Sequence, residues 1–201
     1  MKKFKDIDDT KGDIIYAAIQ LIPEKGYEKT SMREIAEKAE VTKPAVYYYF
    51  DNKKELFKEM MDIGHENILI KLEEIISSDD TFKKKLIQII LLRFRVFPDE
   101  PAVEKFISWA FTEGMKYVID ITHSPGDHES KYKEIICNLI KEEKQKGNFK
   151  KDINIEHLFG LILGATNYYT RQYFLGEREQ LSKQEAKEIV DIIFYGIHKN
   201  N

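Results

Sequence analysis

Apolar positions recur every three or four residues along most of this chain, and alternating β-type runs are rare. In "GDIIYAAIQLIPEKG" Ile15, Ala18, Ile19 and Ile22 share one helical face, and Gly26 ends the segment. "SMREIAEKA" follows, with Met32, Ile35, Ala36 and Ala39 as its apolar stripe. Ser31 and Glu34 have the spacing of a capping box, which satisfies free N–H groups reciprocally at a helix start. After the short break "AEV", Thr42 caps a third helix with Pro44 in its first turn, where a missing N–H costs little. Asn52 and Glu55 mark the cap of a fourth helix carrying Leu56, Phe57, Met60, Met61 and Gly64, which runs to about Ile76 and stops at "SSDD". Further helices are predicted over about 80–97, 100–122, 128–146, 154–175 and 182–199, separated by "FPDEP", "HSPGDHE", "KGNFKKD" and "LGEREQLS". The pattern thus predicts an all-α chain of about nine helices without repeats, low-complexity segments or a Gly/Ser linker. A small N-terminal unit, residues 1–51, is expected to join rigidly, through the fourth helix, to a larger helical domain over 52–201.

The third helix carries "VYYYF", in which Tyr47 to Phe50 place four aromatic rings in a row. A helix cannot bury four consecutive rings on one face, so some must point outward. Val46 and either Tyr49 or Phe50 are expected to anchor the helix on the first two, leaving Tyr47 and Tyr48 outside. The second and third helices with their short turn have the spacing of a helix-turn-helix, whose second helix enters the DNA major groove with its first residues, here Thr42, Lys43, Pro44 and Ala45. Tyrosine hydroxyls reach phosphates and the rings touch thymine methyl groups.

At this point residues of about 12–58, "GYEKTSMREIAEKAEVTKPAVYYYFDNKKELF" above all, resemble the N-terminal domain of the TetR family of bacterial transcriptional regulators. Gly26, Thr30, Ile35, Ala36, Ala39, Val41, Tyr47, Phe50, Lys53 and Leu56 carry the resemblance. The remaining two-thirds is similar only in helix number and loose features. The resemblance implies an N-terminal three-helix DNA-binding domain and a larger C-terminal helical domain for ligand binding and dimerisation. It implies that Thr30 and Ser31 bind phosphate at the start of the second helix, that Arg33 reaches the groove edge or a phosphate, that Lys43, Pro44 and Ala45 face bases, and that Tyr47, Tyr48 and Lys53 hold the DNA backbone. One position departs from the family pattern: Glu40 stands in the turn where glycine is usual.

Charge refines this picture. Residues 1–60 hold 12 Lys+Arg and 12 Asp+Glu, while the whole chain of 201 residues has a net charge of −3. The front is therefore not a basic domain, and DNA recognition rests on local geometry rather than on bulk attraction. Lys2, Lys3 and Lys5 read as a solvated arm that could also lie along DNA. No run approaches the roughly 18 apolar residues of a membrane span, no apolar signal core follows the first lysines, and Cys137 is the single cysteine, so a cytoplasmic protein without a membrane partner is expected. Cys137 lies on an apolar stripe and reads as a buried, inert thiol. His123, Asp127, His128 and Glu129 read as a polar loop rather than a metal site. No nucleophile–base spacing, phosphate-cradling glycine loop or HExxH occurs, so neither catalysis nor a cofactor is expected.

In the back half, the resemblance implies a homodimer that binds a small-molecule effector and a double-stranded, palindromic DNA operator. Leu161, Gly164 and Ala165 against Val190, Ile193, Phe194 and Ile197 could form a two-fold four-helix interface. Aromatic and polar residues set among apolar ones nominate a pocket: Phe94, Arg95, Phe106, Trp109, Phe111, Tyr117, Tyr168, Tyr169 and Arg171. Arg93 and Arg95 need partners inside an apolar helix, either Glu104, Glu113 or Asp120, or an anionic effector. The reading is a ligand-responsive regulator, a repressor foremost, with an activator or a non-DNA interaction module of the same fold as the alternatives.

Overall fold

The computed structural model describes residues 9–92, 94, 100–117, 127–149 and 152–195. Among these the chain is all-helical, with nine helices of defined bounds: α1 (Asp9–Lys25), α2 (Met32–Lys38), α3 (Lys43–Tyr49), α4 (Lys53–Ser77), α5 (Phe82–Leu92), α6 (Pro101–Phe111), α7 (Asp127–Gln145), α8 (Ile155–Phe174) and α9 (Lys183–Tyr195). The caps fall where side-chain chemistry placed them. Ser31 and Glu34 close a full capping box on α2, the Thr42 hydroxyl accepts from Ala45 N at 3.3 Å, and the Asn52 amide oxygen accepts from Glu55 N at 3.0 Å.

Two predicted helices differ. The segment read as 80–97 is helical from Phe82 through Leu92, and residues 93 and 95–99 lie outside the described residues. The segment read as 100–122 breaks after Phe111: the Thr112 hydroxyl donates to Ser108 O at 2.9 Å, and Gly114 N donates to Trp109 O at 2.8 Å. The cause is a close approach. A Cβ on Gly114 would lie 2.6 Å from Trp109 Cζ3, so the chain can fold back over the indole only where it lacks a side chain.

Packing groups the helices into two compact units. The first comprises α1, α2, α3, the front of α4 up to Asn67, and α6. Its core is built by Ile14, Ile15, Ala18, Ile19 and Ile22 of α1, with Ile35, Ala36, Val46, Phe50, Leu56, Phe57, Met60, Val103 and Phe106 also buried. Here α1 packs against α2, α3 and α6. The second unit comprises α4 from Ile68, α5, and α7 to α9. Its core runs through Leu72, Leu86, Ile89, Ile90, Ile136, Ile140, Ile162, Ala186 and Val190. Full burial of each large side chain in these cores stabilises by about 1.5–3 kcal/mol. The cut expected after residue 51 falls inside the first packing unit. That unit reaches on to Asn67 and adds α6, because α1 presents an apolar flank that α2 and α3 leave uncovered.

Candidate nucleic-acid interface

α2 and α3 are each only seven residues long, so their relative placement depends on the turn between them. Ala39 caps α2, Glu40 N donates to Glu37 O at 3.3 Å, and Val41 N donates to Ala36 O at 3.0 Å. This pair of bonds is a Schellman motif, which places its C′ residue in the left-handed region. Glu40 has φ 57°, the left-handed conformation that favours glycine. A side-chain residue there costs about 1–2 kcal/mol, and glycine's extra freedom in the unfolded chain offsets part of any relief. Glu40→Gly is therefore expected to raise stability by about 0.5–1 kcal/mol. Urea unfolding beside the parent protein measures it, and a midpoint no higher than the parent's would remove strain from this turn.

α3 then presents its start to the outside. Val46 and Phe50 are buried and hold the helix, so Phe50 rather than Tyr49 is the second anchor. Tyr49 is half-buried and takes the edge of the Tyr48 ring at a centroid distance of 5.0 Å. Tyr48 is 83% exposed and Tyr47 44% exposed. Thr42, Lys43 and Pro44 are exposed on the same end, Ala45 is half-buried, and Lys43 Nζ lies 5.6 Å from the Tyr47 ring centroid. A helix of this length is about 10 Å long and enters a major groove about 12 Å wide. The outward set combines one cation, two phenols and a threonine hydroxyl. Arg33, exposed on α2, donates to Glu37 Oε1 at 2.8 Å. An exposed i,i+4 pair of this kind contributes only about 0.3–0.5 kcal/mol, so it yields readily to a phosphate.

Three residues expected at the DNA backbone are turned to other tasks. Thr30 is 1% exposed, and its hydroxyl donates to Gly26 O at 2.9 Å. Ser31 donates from N and from Oγ to Glu34 Oε2 at 2.9 and 2.8 Å, so the start of α2 holds the chain's own carboxylate where a phosphate was expected. Lys25 Nζ adds a bond to Glu34 Oε1 at 2.7 Å. The lysine bond and the two serine bonds hold the Glu34 carboxyl down at about 2. Lys53 Nζ donates to the carbonyl oxygens of Tyr27, Thr30 and Glu28 at 2.6, 2.9 and 3.2 Å. Tyr27 joins this site although it was not among the expected site residues. Its ring lies 4.4 Å from Lys53 Nζ, and the only hint in the sequence was its place directly after Gly26.

The residues nominated for an effector pocket fall in both units. In the first, Phe106 and Trp109 are buried, and Trp109 stacks on Phe106 at 5.9 Å and on Tyr117 at 6.2 Å, with the edge of Phe57 at 6.2 Å. Phe111 is half-buried. The Trp109 indole N–H is buried without a hydrogen-bond partner. In the second unit, Phe94 meets the edge of Tyr173 at 5.6 Å, and Tyr169 is half-buried under Arg178, whose Cζ is 4.8 Å from the ring. Tyr168 and Arg171 are exposed. Arg93 and Arg95 lie outside the described residues.

The nominated dimer face divides between its two helices. Val190 is 0% exposed, and Ile193 and Phe194 pack on the core of their own chain. Their side of α9 is the inner one, because Ala186 and Val190 fill it four residues apart. On α8 the nominated Leu161 and Gly164 are exposed, with Tyr168 exposed one turn on and Ala165 half-buried, whereas on α9 the exposed apolar side chains are Ile192 and Tyr195. Ile197 lies outside the described residues. So do the lysines of the arm, His123, and the side chains of Asp127, His128 and Glu129. Burial pushes the Cys137 thiol up, away from a reactive thiolate. Among the described residues no three His, Cys, Asp or Glu side chains group as metal ligands, and no helix is long and apolar enough to cross a membrane.

Residues 14–60 match the family of bacterial regulatory proteins, tetR family. The chain is 22% identical to the fatty acid metabolism regulator protein of Bacillus subtilis over 92% of its length and 94% of the relative's. It is 29% identical to the transcriptional regulator PksA of the same organism, over 82% of this chain and 80% of that one. The crystal structure of the Bacillus subtilis regulator FadR in complex with stearoyl-CoA shares the fold, with a TM-score of 0.73 at 20% identity, covering 92% of this chain and 98% of that one.

Proposed function

We propose that the chain is a DNA-binding transcriptional regulator of the TetR family, a repressor released from a palindromic operator by a small-molecule effector; the family match over residues 14–60 and the likeness to regulators along most of the chain support this reading. The observation that carries the proposal is the outward end of α3, where Thr42, Lys43, Pro44, Tyr47 and Tyr48 offer groove-reading chemistry on a helix anchored from behind by Val46 and Phe50. The sites are assigned accordingly. Lys43, Pro44 and Ala45 face bases, Tyr47 and Tyr48 take phosphate and thymine contacts, and Arg33 exchanges Glu37 for a phosphate.

The working form is a homodimer. One seven-residue helix makes too few contacts for a selective site, and two helices about 34 Å apart read two half-sites. Leu161, Gly164 and Tyr168, continued by Ile192 and Tyr195, supply an apolar face for a two-fold contact. Gly160 and Gly164 are both exposed on α8, one turn apart, and would let a partner helix approach closely.

The effector is proposed to be a fatty-acyl thioester. Support comes from the full-length likeness to a fatty acid metabolism regulator and from the stearoyl-CoA held by a protein of the same fold. The unpartnered Trp109 N–H, among aromatic walls, is the kind of buried donor that a ligand's polar group satisfies. α4 runs as one helix from the first unit into the second and is the proposed lever. An effector that binds better to a conformer with altered recognition-helix spacing shifts the population and weakens DNA binding.

The test is fluorescence anisotropy on DNA from upstream of the chain's own gene, or on a duplex selected from a random library, titrated with stearoyl-CoA and separately with free CoA. Release by stearoyl-CoA alone, by at least about tenfold in Kd, equivalent to a coupling of about 1.4 kcal/mol, is expected. Tightening by stearoyl-CoA would make the protein a co-repressed or activating regulator. Indifference to both compounds would reject the acyl effector.

A further inference from the structure

We propose that Lys53 is a positioning residue for DNA recognition, acting through the α1–α2 loop and taking no DNA phosphate itself. The family resemblance assigns this lysine to the backbone of the DNA, and the geometry points elsewhere. An ammonium has three N–H donors, and here three carbonyl oxygens, of Tyr27, Glu28 and Thr30, receive them at 2.6–3.2 Å. The Tyr27 ring closes one side at 4.4 Å. Burial pushes the ammonium below the ordinary lysine value, which accords with a group drawn inward rather than into solvent. A phosphate could be engaged only by breaking bonds that no other group in the loop replaces.

These carbonyls belong to the residues that lead into Ser31, the N-cap of α2. The loop's own backbone bonds converge on a single donor, Thr30 N, at 3.2 Å from Gly26 O and 3.3 Å from Tyr27 O. Lys53 therefore fixes the angle at which α2 begins, and the Schellman turn passes that angle to α3. Tyr27 is held in turn by Phe57 at 5.2 Å and by Tyr117 at 4.7 Å, so the ring beneath the ammonium is itself rigid. The loop, the lysine and both aromatic supports lie within the first unit.

Lys53→Met keeps the length of the stem and removes charge and donors together. The full-length variant is compared with the parent on a duplex selected by the parent from a random library and on a scrambled duplex. Anisotropy is followed across a salt series, well below the variant's melting midpoint. Affinity for the selected duplex is expected to fall about tenfold while scrambled affinity holds, so that discrimination collapses by the same factor and the salt slope stays constant. A slope shallower by about 1.8, one phosphate per protomer of a dimer, with equal losses on both duplexes, would overturn the proposal. Unchanged discrimination would also overturn it, since a merely structural lysine leaves the surviving fold's specificity intact. Should Lys53→Met fail to fold, Lys53→Arg serves. It keeps the charge, but its planar fork cannot aim three donors at three converging carbonyls. Lost discrimination at constant slope then supports positioning, and parental discrimination refutes it.

Discussion

Replacing Lys43, Tyr47 and Tyr48 together by alanine is expected to lower affinity for a selected duplex by at least about 100-fold while helical content and melting midpoint stay at parental values. The three side chains stand on one end of α3, and none of them belongs to the core. Exposed substitutions usually shift stability by no more than about 0.5 kcal/mol, so the fold survives. Base and phosphate contacts are worth about 1–3 kcal/mol each, and a dimer loses every contact twice. The salt slope should also flatten by about 1–2, because two lysines leave the phosphate field. Anisotropy on the selected duplex reads both quantities. An affinity within about threefold of the parent's would mean that α3 does not enter the groove and that the interaction-module reading deserves to replace it.

Phe57→Ala carries the largest expected effect on stability, about 3–5 kcal/mol. Phe57 is 0% exposed, with Tyr27, Phe106 and Trp109 around its ring at 5.2, 6.0 and 6.2 Å. Three rings held on two other segments, the α1–α2 loop and α6, cannot all collapse into the gap that a lost phenyl leaves, so a cavity remains and adds to the transfer cost. Total stabilities of about 5–15 kcal/mol make such a loss a large share of what holds the first unit. Trp109, the single tryptophan, neighbours the site and reports unfolding in urea directly. A loss under about 1 kcal/mol would show that the aromatic cluster repacks freely and does not brace α4 against α6.

Much of the first unit was legible because its signals are local. A serine and a glutamate three residues apart declare a helix start whatever surrounds them, and Thr42 with Pro44 declares another. The strained turn at Glu40 was legible too, since a missing glycine is visible as a letter. Thr30 and Lys53 were not, because the direction of a side chain at a helix boundary depends on which carbonyls the next loop turns inward. Helical periodicity also fails where both faces of a helix are apolar. On α9, Val190 and Ile192 are two residues apart and equally hydrophobic, yet one fills the core and the other faces out. The break at Gly114 was hidden because the apolar rhythm continues across it, and only the indole beneath explains it.

The first unit is discontinuous in the chain, and this orders its birth. α6 is synthesised about 75 residues after α1 ends, on the order of 4–15 s later at ribosomal speed. Until then the flank of α1 that packs on α6 has no cover, although α2 and α3 are already made. A nascent chain that has emerged only to residue 67 therefore carries a recognition helix on an unfinished support. A truncated message would deliver a sticky, half-closed headpiece rather than a small working DNA binder. The support on which α3 rests is thus completed only once α6 has been made.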